Sequence, residues 1–294
     1  MMKEIKKLIA FDYLHSWQGF FLSLLIFSIA VVALPEIKLD FDVSVIMTIG
    51  TFLFGIIAAF FISERYSRYE KMRELVAKET SGIVSLHSLT RGISEEKAEE
   101  LKGLVDDYFV RSLDYELYDY QKKVEKEFGL IEDFINLKIS NIKTRKDEEL
   151  YGELLSTANG LGDVRKEIGI LGADRTEKIH WFVLISLSFS TIIPTVIFLQ
   201  GSLIAKLFSA LFASIIVLTL LVVRDLDNLR WRKESISYEP FEEAMDSLDL
   251  LRYYCNIDIK SGRTKLPVGI DYRIGYHQPG EKPDIRVVKA QENN

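Results

Sequence analysis

Cysteine is nearly absent: Cys255 stands alone in 294 residues, so neither an intrachain disulfide nor a cysteine-based zinc site can hold the fold. Small secreted disulfide scaffolds and zinc ribbons are excluded with it. Enzyme signatures are missing as well. There is no Gly-rich phosphate loop, no Gly-x-Ser-x-Gly elbow and no His-Glu-x-x-His, and the four histidines are scattered. The chain therefore reads as a non-enzyme without cofactor, and with neither catalytic nor metal-ligating residues. A formal net charge of −6 provides no overall basic surface for phosphates, so nucleic acid is not an expected partner. The sequence contains no repeat of fixed period and no low-complexity tract.

Charge is also missing over long stretches, although 27% of the residues are charged. Trp17 to Leu34, Val43 to Ile62 and Trp181 to Leu199 contain no Asp, Glu, Lys or Arg, and Leu203 to Val223 contains only Lys206. At about 1.5 Å per residue, helices of this length match a hydrocarbon core of roughly 30 Å. Core helices of a soluble bundle are the alternative, but each block lacks the polar stripe that a surface-packed helix needs. Four membrane spans are expected.

Short connections, Pro35 to Asp42 and Gln200-Gly201-Ser202, pair the spans into two hairpins whose open ends share one side. That side carries Lys3, Lys6 and Lys7, then Arg65, Arg68, Lys71 and Arg73, then Arg224, Arg230, Arg232 and Lys233, against Lys38 and Lys206 on the other. The asymmetry places both termini and the long middle segment in the cytoplasm of a multi-pass cell-membrane protein. A cleaved secretory signal over Lys3 to Leu34, with Ser28-Ile29-Ala30 as the small-residue site, is the competing reading; cleavage would leave an odd number of spans and spoil the charge pattern. The two hairpins are too dissimilar for a transporter-type inverted repeat.

The expected organisation is a first transmembrane hairpin over 1–63, a helical cytoplasmic segment over 64–178, a second hairpin over 179–223, a cytoplasmic helix over 224–257 and an extended or disordered tail over 258–294. Leu75, Ile83, Leu86 and Leu89 recur at helical spacing, so span two is expected to continue into the cytoplasm as one helix of more than forty residues. Its end is marked by Gly92, with Ser94 as the cap of a second helix reaching about Lys126. Further helices are expected over Leu130 to Ile142 and Lys146 to Ile170, the latter with a break at Gly160-Leu161-Gly162. Glu239-Pro240-Phe241 opens another, running to about Asn256. The glycines and prolines beyond it suggest a tail, in which the alternation Ile270 to Ile274 favours a strand only weakly. The fold class is an all-α membrane protein.

His15 and His180 each precede a span on the same side, which admits a haem or metal between them; without a further ligand they read as polar flanks. Asp225, Asp227, Glu239, Glu242, Glu243, Asp246 and Asp249 lack the density of a calcium loop and read as a solvated helix face and interfacial loop. Thr48, Phe52, Ile56 and Phe60 follow at intervals of four and share one helix face. Copies of that face around an axis would form an apolar constriction; a single copy would pack on other spans or lipid. Arg65, Arg68 and Arg73 are membrane anchors or anion-attracting groups.

Tyr66-Ser67-Arg68-Tyr69, with Phe60-Phe61 before it and Arg73 and Leu75 after it, resembles the segment after the second span in bestrophins. The order of two spans, a helical segment of about a hundred residues and two more spans is similar too. Asp225-Leu226-Asp227-Asn228 and Glu239-Pro240-Phe241 are similar to motifs of bestrophins and of their uncharacterised bestrophin-like relatives. Leu229-Arg230-Trp231 stands where bestrophins continue with Pro-Phe-Gly, and the dense acidic run of the animal calcium clasp is missing, so calcium gating does not carry over. The resemblance implies a homo-oligomer, a pentamer, that passes small anions such as chloride across the lipid membrane. By that resemblance Thr48, Phe52, Ile56 and Phe60 line the pore, and Arg65, Arg68 and Arg73 stand at its cytoplasmic mouth. A non-conducting scaffold whose cytoplasmic helices bind a partner is the alternative.

Overall fold

An uninterrupted run from Ser44 to Ile93 contains no proline, and in the computed structural model it forms one 50-residue helix. The structure describes residues 16–34, 44–139, 144–198, 202–229 and 238–290. Lys3, Lys6, Lys7, His15, Lys38, Arg230, Arg232 and Lys233, and the first interhelical connection, lie outside the described residues. In chain order the helices are α1 (Ser16–Ala33), α2 (Ser44–Ile93), α3 (Glu95–Asp114), α4 (Tyr120–Lys123), α5 (Glu125–Lys138), α6 (Arg145–Ala173), α7 (Lys178–Phe198), α8 (Leu203–Asp227), α9 (Glu239–Ser247) and α10 (Asn256–Lys260). The strands are β1 (Arg252–Cys255), β2 (Tyr272–Gly275) and β3 (Ile285–Val288).

Four of these helices, α1, α2, α7 and α8, are long and apolar enough to cross a membrane. The chain divides into two units, Met1–Ser67 with Arg175–Asn228 and Arg68–Asp174 with Leu229–Asn294. In the first unit Phe54, Ala58 and Phe61 of α2 pack with Leu184 of α7 and with Ile216 and Val223 of α8. Val31 of α1 packs with Val196, Ala210 and Ala213. Small residues let these backbones approach. Ser202 caps α8 by accepting the Ala205 N–H at 3.3 Å.

The second unit has one continuous core running from Tyr69 to Tyr254. Ser94 caps α3 as its sequence indicates, accepting the Lys97 N–H at 3.3 Å, with Glu95 and Glu96 in the first turn. Thr144 and Asp147 form a reciprocal capping box on α6. A Cβ on Gly82 of α2 would stand 2.6 Å from Leu161 of α6, so glycine is there for close helix approach, and both helices run unbroken through Gly82 and through Gly160-Leu161-Gly162.

Inside this core lies a charged knot. Arg165 of α6, 2% exposed, pairs at 2.9 Å with Glu79 of α2, 0% exposed. Tyr108 of α3 donates to Glu79 Oε1 at 2.5 Å, and Tyr120 of α4 donates to Oε2. Arg165 also donates to the Gln121 carbonyl at 2.9 Å and reaches Glu125 of α5 at 3.3 Å, while its guanidinium lies 4.2 Å from the Phe128 ring centre. Burial pushes both phenols well above their ordinary pKa, so they remain donors. Five helices thus meet on one ion pair.

Three expectations need correction. The second helix ends at Asp114 rather than near Lys126, because Tyr115 is extended (φ −106°, ψ 158°). The helix opened by Pro240 ends at Ser247, well short of Asn256; Asp249 sits in the left-handed region at φ 52° and turns the chain into β1. The segment read as an extended or disordered tail is folded as far as 290. It builds a three-stranded sheet in the order β1-β2-β3, with Tyr254 beside Ile274 in the parallel pair and Ile274 beside Arg286 in the antiparallel pair. The weakly favoured strand over 270–274 is β2. The segment is held on and just after α3: Arg273 forks onto Asp106 with two bonds of 2.6 Å, and Arg263 meets Glu116, two residues past the end of α3, at 2.8 Å.

Removing one partner of the buried knot strands the other. Arg165→Met is expected to cost about 3–5 kcal/mol because Glu79 is left uncompensated. The double change Arg165→Met with Glu79→Gln should cost clearly less. Thermal melting of the purified variants measures both, and equal losses would contradict the assignment.

Candidate functional site

The face predicted from spacing is found on the outside of its own chain. Phe52, Ile56 and Phe60 are 65%, 53% and 67% exposed, and Thr48 is exposed with its hydroxyl on the Ser44 carbonyl at 2.8 Å. The other side of the same helix carries the packed Phe54, Ala58 and Phe61. The exposed stripe is broad, because Ile49 and Leu53 are also open. Exposed apolar residues occur on every span, among them Phe21 on α1, Phe189 on α7 and Phe208 on α8, so exposure alone does not separate a lipid face from an axial one.

The three arginines after span two have different fates. Arg65 is 5% exposed; its Nη1 lies 3.6 Å from Asp227 and its Nη2 donates to Glu64 at 3.0 Å. Arg68 is 6% exposed and donates from Nε and Nη2 to the Leu171 carbonyl at 2.9 and 2.7 Å, with Gly172 O at 3.4 Å. It closes the C-terminal end of α6, where carbonyls lack helical partners and the helix dipole favours a cation. Arg73 is exposed and lines a cavity of about 410 Å³ between α2 and α9, together with Thr80, Ser81, Glu239 and Glu243.

One arrangement escaped the sequence. Asp227, read as part of a solvated acidic group, is buried at the end of α8, where Oδ1 accepts the Thr176 N–H at 2.9 Å and the Thr176 hydroxyl at 2.8 Å. Two residues earlier, Asp225 accepts from Ser16 of α1 and from Arg224 Nη2 at 2.8 Å. All four spans of the first unit are thus joined at one end through side chains, with Arg65 from α2 and Thr176 just before α7. A buried carboxylate is tolerable only when paired, and the Asp-x-Asp spacing at a span end was the available signal. Glu242 and Asp246, also read as solvated, hold Arg252 at 3.1 and 2.6 Å. His180 lies with its ring centre 5.2 Å from that of Phe61; a His15–His180 pair falls outside the described residues.

Comparison with known proteins identifies the family and the fold. Residues 21–239 match the bestrophin-like domain family, and the chain belongs to that family. It is a membrane protein with four transmembrane helices. It is similar in fold to a bacterial bestrophin homologue from Klebsiella pneumoniae, with 14% identity over 79% of this chain and 98% of that one and a TM-score of 0.57. A tryptophan-to-alanine form of that homologue gives 15% identity, 80% and 97% coverage and a TM-score of 0.59. A structure described as a membrane protein with a glycine-to-alanine change gives 14%, 79%, 98% and 0.59. No curated protein matches the chain in sequence.

Asp227→Ala removes the acceptor of both Thr176 bonds and the carboxylate beside Arg65, at an expected cost of about 3 kcal/mol. Asp227→Asn keeps an acceptor for Thr176 and should lose less. Thermal stability of the detergent-solubilised variants distinguishes them.

Proposed function

We propose that the chain is one subunit of an oligomeric anion channel whose pore is lined by α2. The observation that carries this reading is the stripe Thr48, Phe52, Ile56 and Phe60, which the subunit leaves open while packing the reverse face. Membership of the bestrophin-like family supports it. Around a symmetry axis the stripe becomes a narrow apolar neck, and five copies are the number the family resemblance implies. An anion sheds part of its hydration there, helped by the positive edges of phenyl rings. No tight site is required, since conduction needs ions to leave as readily as they enter.

At the mouth, Arg65, Arg68 and Arg73 divide the work. Arg65 and Arg68 hold the spans and α6 in place through contacts inside the chain, and Arg73 supplies exposed charge that raises the local anion concentration. The Lys/Arg asymmetry of the sequence sets both termini in the cytoplasm. Trp17 and Phe21 on α1, 68% and 62% exposed, belong on this reading to the lipid face.

Purified protein in chloride-loaded liposomes tests the proposal. A passive, anion-selective leak is expected, with a rate that changes on Phe52→Ala. Vesicles that stay tight with either protein favour the non-conducting scaffold. The mass of the solubilised assembly is an independent check: five copies are expected, and a monomer overturns the reading because one α2 encloses no axis.

A further inference from the structure

The cavity of about 410 Å³ between α2 and α9 lies wholly inside the second unit, and its volume is that of a small-molecule site. Residues recurring every three or four positions on α2, from Arg73 to Val84, form one wall, and Glu239 to Ser247 of α9 form the other. The guanidinium of Arg91, in the last turn of α2, has its pKa raised by its bond to Glu95 and also by the Asp249 carboxylate, two residues past α9. The two helices therefore run the same way along the cavity, with Arg73 at the Glu239 end and Val84 at the Ser247 end. Small side chains on both walls, Ala77 and Ser81 on one and Ala244 and Ser247 on the other, leave the space between them unfilled.

The lining is rich in acceptors. Thr80, 3% exposed, donates its hydroxyl proton to the Val76 and Ala77 carbonyls at 3.2 Å, Ser81 donates to Lys78 at 3.2 Å, and Ser247 donates to Glu243 at 2.8 Å. Each proton is committed to its own helix, so these oxygens have only lone pairs to offer a ligand. The carboxylates of Glu239 and Glu243 add acceptors, and Arg73 is the one lining side chain with donors to spare. Neither Arg73 nor the Glu243 carboxylate makes an ion pair among the described residues. A simple anion meets too many acceptors here, and a simple cation is repelled by Arg73. A metal ion has no cluster of three His, Cys, Asp or Glu ligands among the described residues.

We propose that this cavity binds a small aliphatic amino acid, its carboxylate on Arg73, its ammonium on Glu243 and the hydroxyl oxygens, and its side chain along Ala77, Val84, Pro240 and Ala244. A guanidinium takes a carboxylate with two parallel N–H bonds, and an ammonium has three donors to distribute among lone pairs, so both ends of the zwitterion are matched in kind. The apolar part of the lining consists of short aliphatic groups, which suits an aliphatic side chain rather than a charged one. Every group involved belongs to the second unit, so occupancy can be measured whether or not the spans conduct.

Calorimetric titration of the whole protein in detergent with L-leucine tests the site, alongside two analogues that each lack one charge: 3-methylbutylamine without the carboxylate and 4-methylpentanoate without the ammonium. Leucine should bind saturably at one site per chain. Each analogue should bind roughly ten-fold more weakly, since one charge-assisted contact is lost. Arg73→Gln should weaken leucine by a similar factor while sparing 3-methylbutylamine, and Glu243→Gln should weaken leucine while sparing 4-methylpentanoate. Absence of saturable leucine binding, an analogue that binds as tightly as leucine, or leucine binding that neither variant weakens would each overturn the proposal. The analogue comparison uses the native protein, so it decides even if a variant fails to fold.

Discussion

The long helix α2 buries charges of both signs, and each must meet its opposite on another part of the chain. Leaving a membrane-spanning stretch for water, the helix places Arg65, Arg68 and Glu79 on faces that become covered. An unpaired buried charge costs several kcal/mol, a large share of the stability of any domain. Arg65 therefore needs Asp227, Arg68 needs the carbonyl end of α6, and Glu79 needs Arg165 with two phenols. These pairings fix the register of α2 within each unit far more tightly than apolar packing would, because sliding by one residue moves a charge out of reach.

The apolar contacts and the ion pairs do different things. Leu75, Ile83 and Leu86 drive burial of the α2 face in the second unit and would tolerate exchange among similar side chains. Neither member of the Glu79–Arg165 pair can change alone without stranding the other, and Tyr108, Tyr120 and Glu125 are arranged around it on three further helices. Hydrophobic burial supplies most of the stabilisation, and the knot selects one arrangement of helices from those that burial alone would allow.

What could be read from the residues in order was what short range dictates. The spans are legible because twenty uncharged residues have few other homes. Ser94 and Pro240 are legible because a cap and a first-turn proline act within three residues. The sheet was not, because its partners are remote: Arg273 lies 167 residues from Asp106, and His277 163 from Asp114. Read locally, such residues look solvated, and the glycines at 262, 269 and 280, all at positive φ, look like a loose tail rather than turns between paired strands. Asp227 misled for the same reason, since nothing near it announces Thr176. The stripe on α2 was legible as periodicity, but what covers it in the membrane is not a property of one chain.

That last point separates fold from function. Four spans and a second, largely helical unit would serve a scaffold as well as a channel, and the shared fold at 14% identity does not choose between them. The side chains of α2 are used in two ways. Where the helix must hold the subunit together, it uses charge that is paired and buried; where it faces outward in the membrane, it carries only methyl, phenyl and hydroxyl groups. A scaffold facing lipid would keep the two apart as well, because unpaired charge is costly in the bilayer; for a conduit the same separation has one further consequence, that the groups left along an ion's path bind too weakly to hold it.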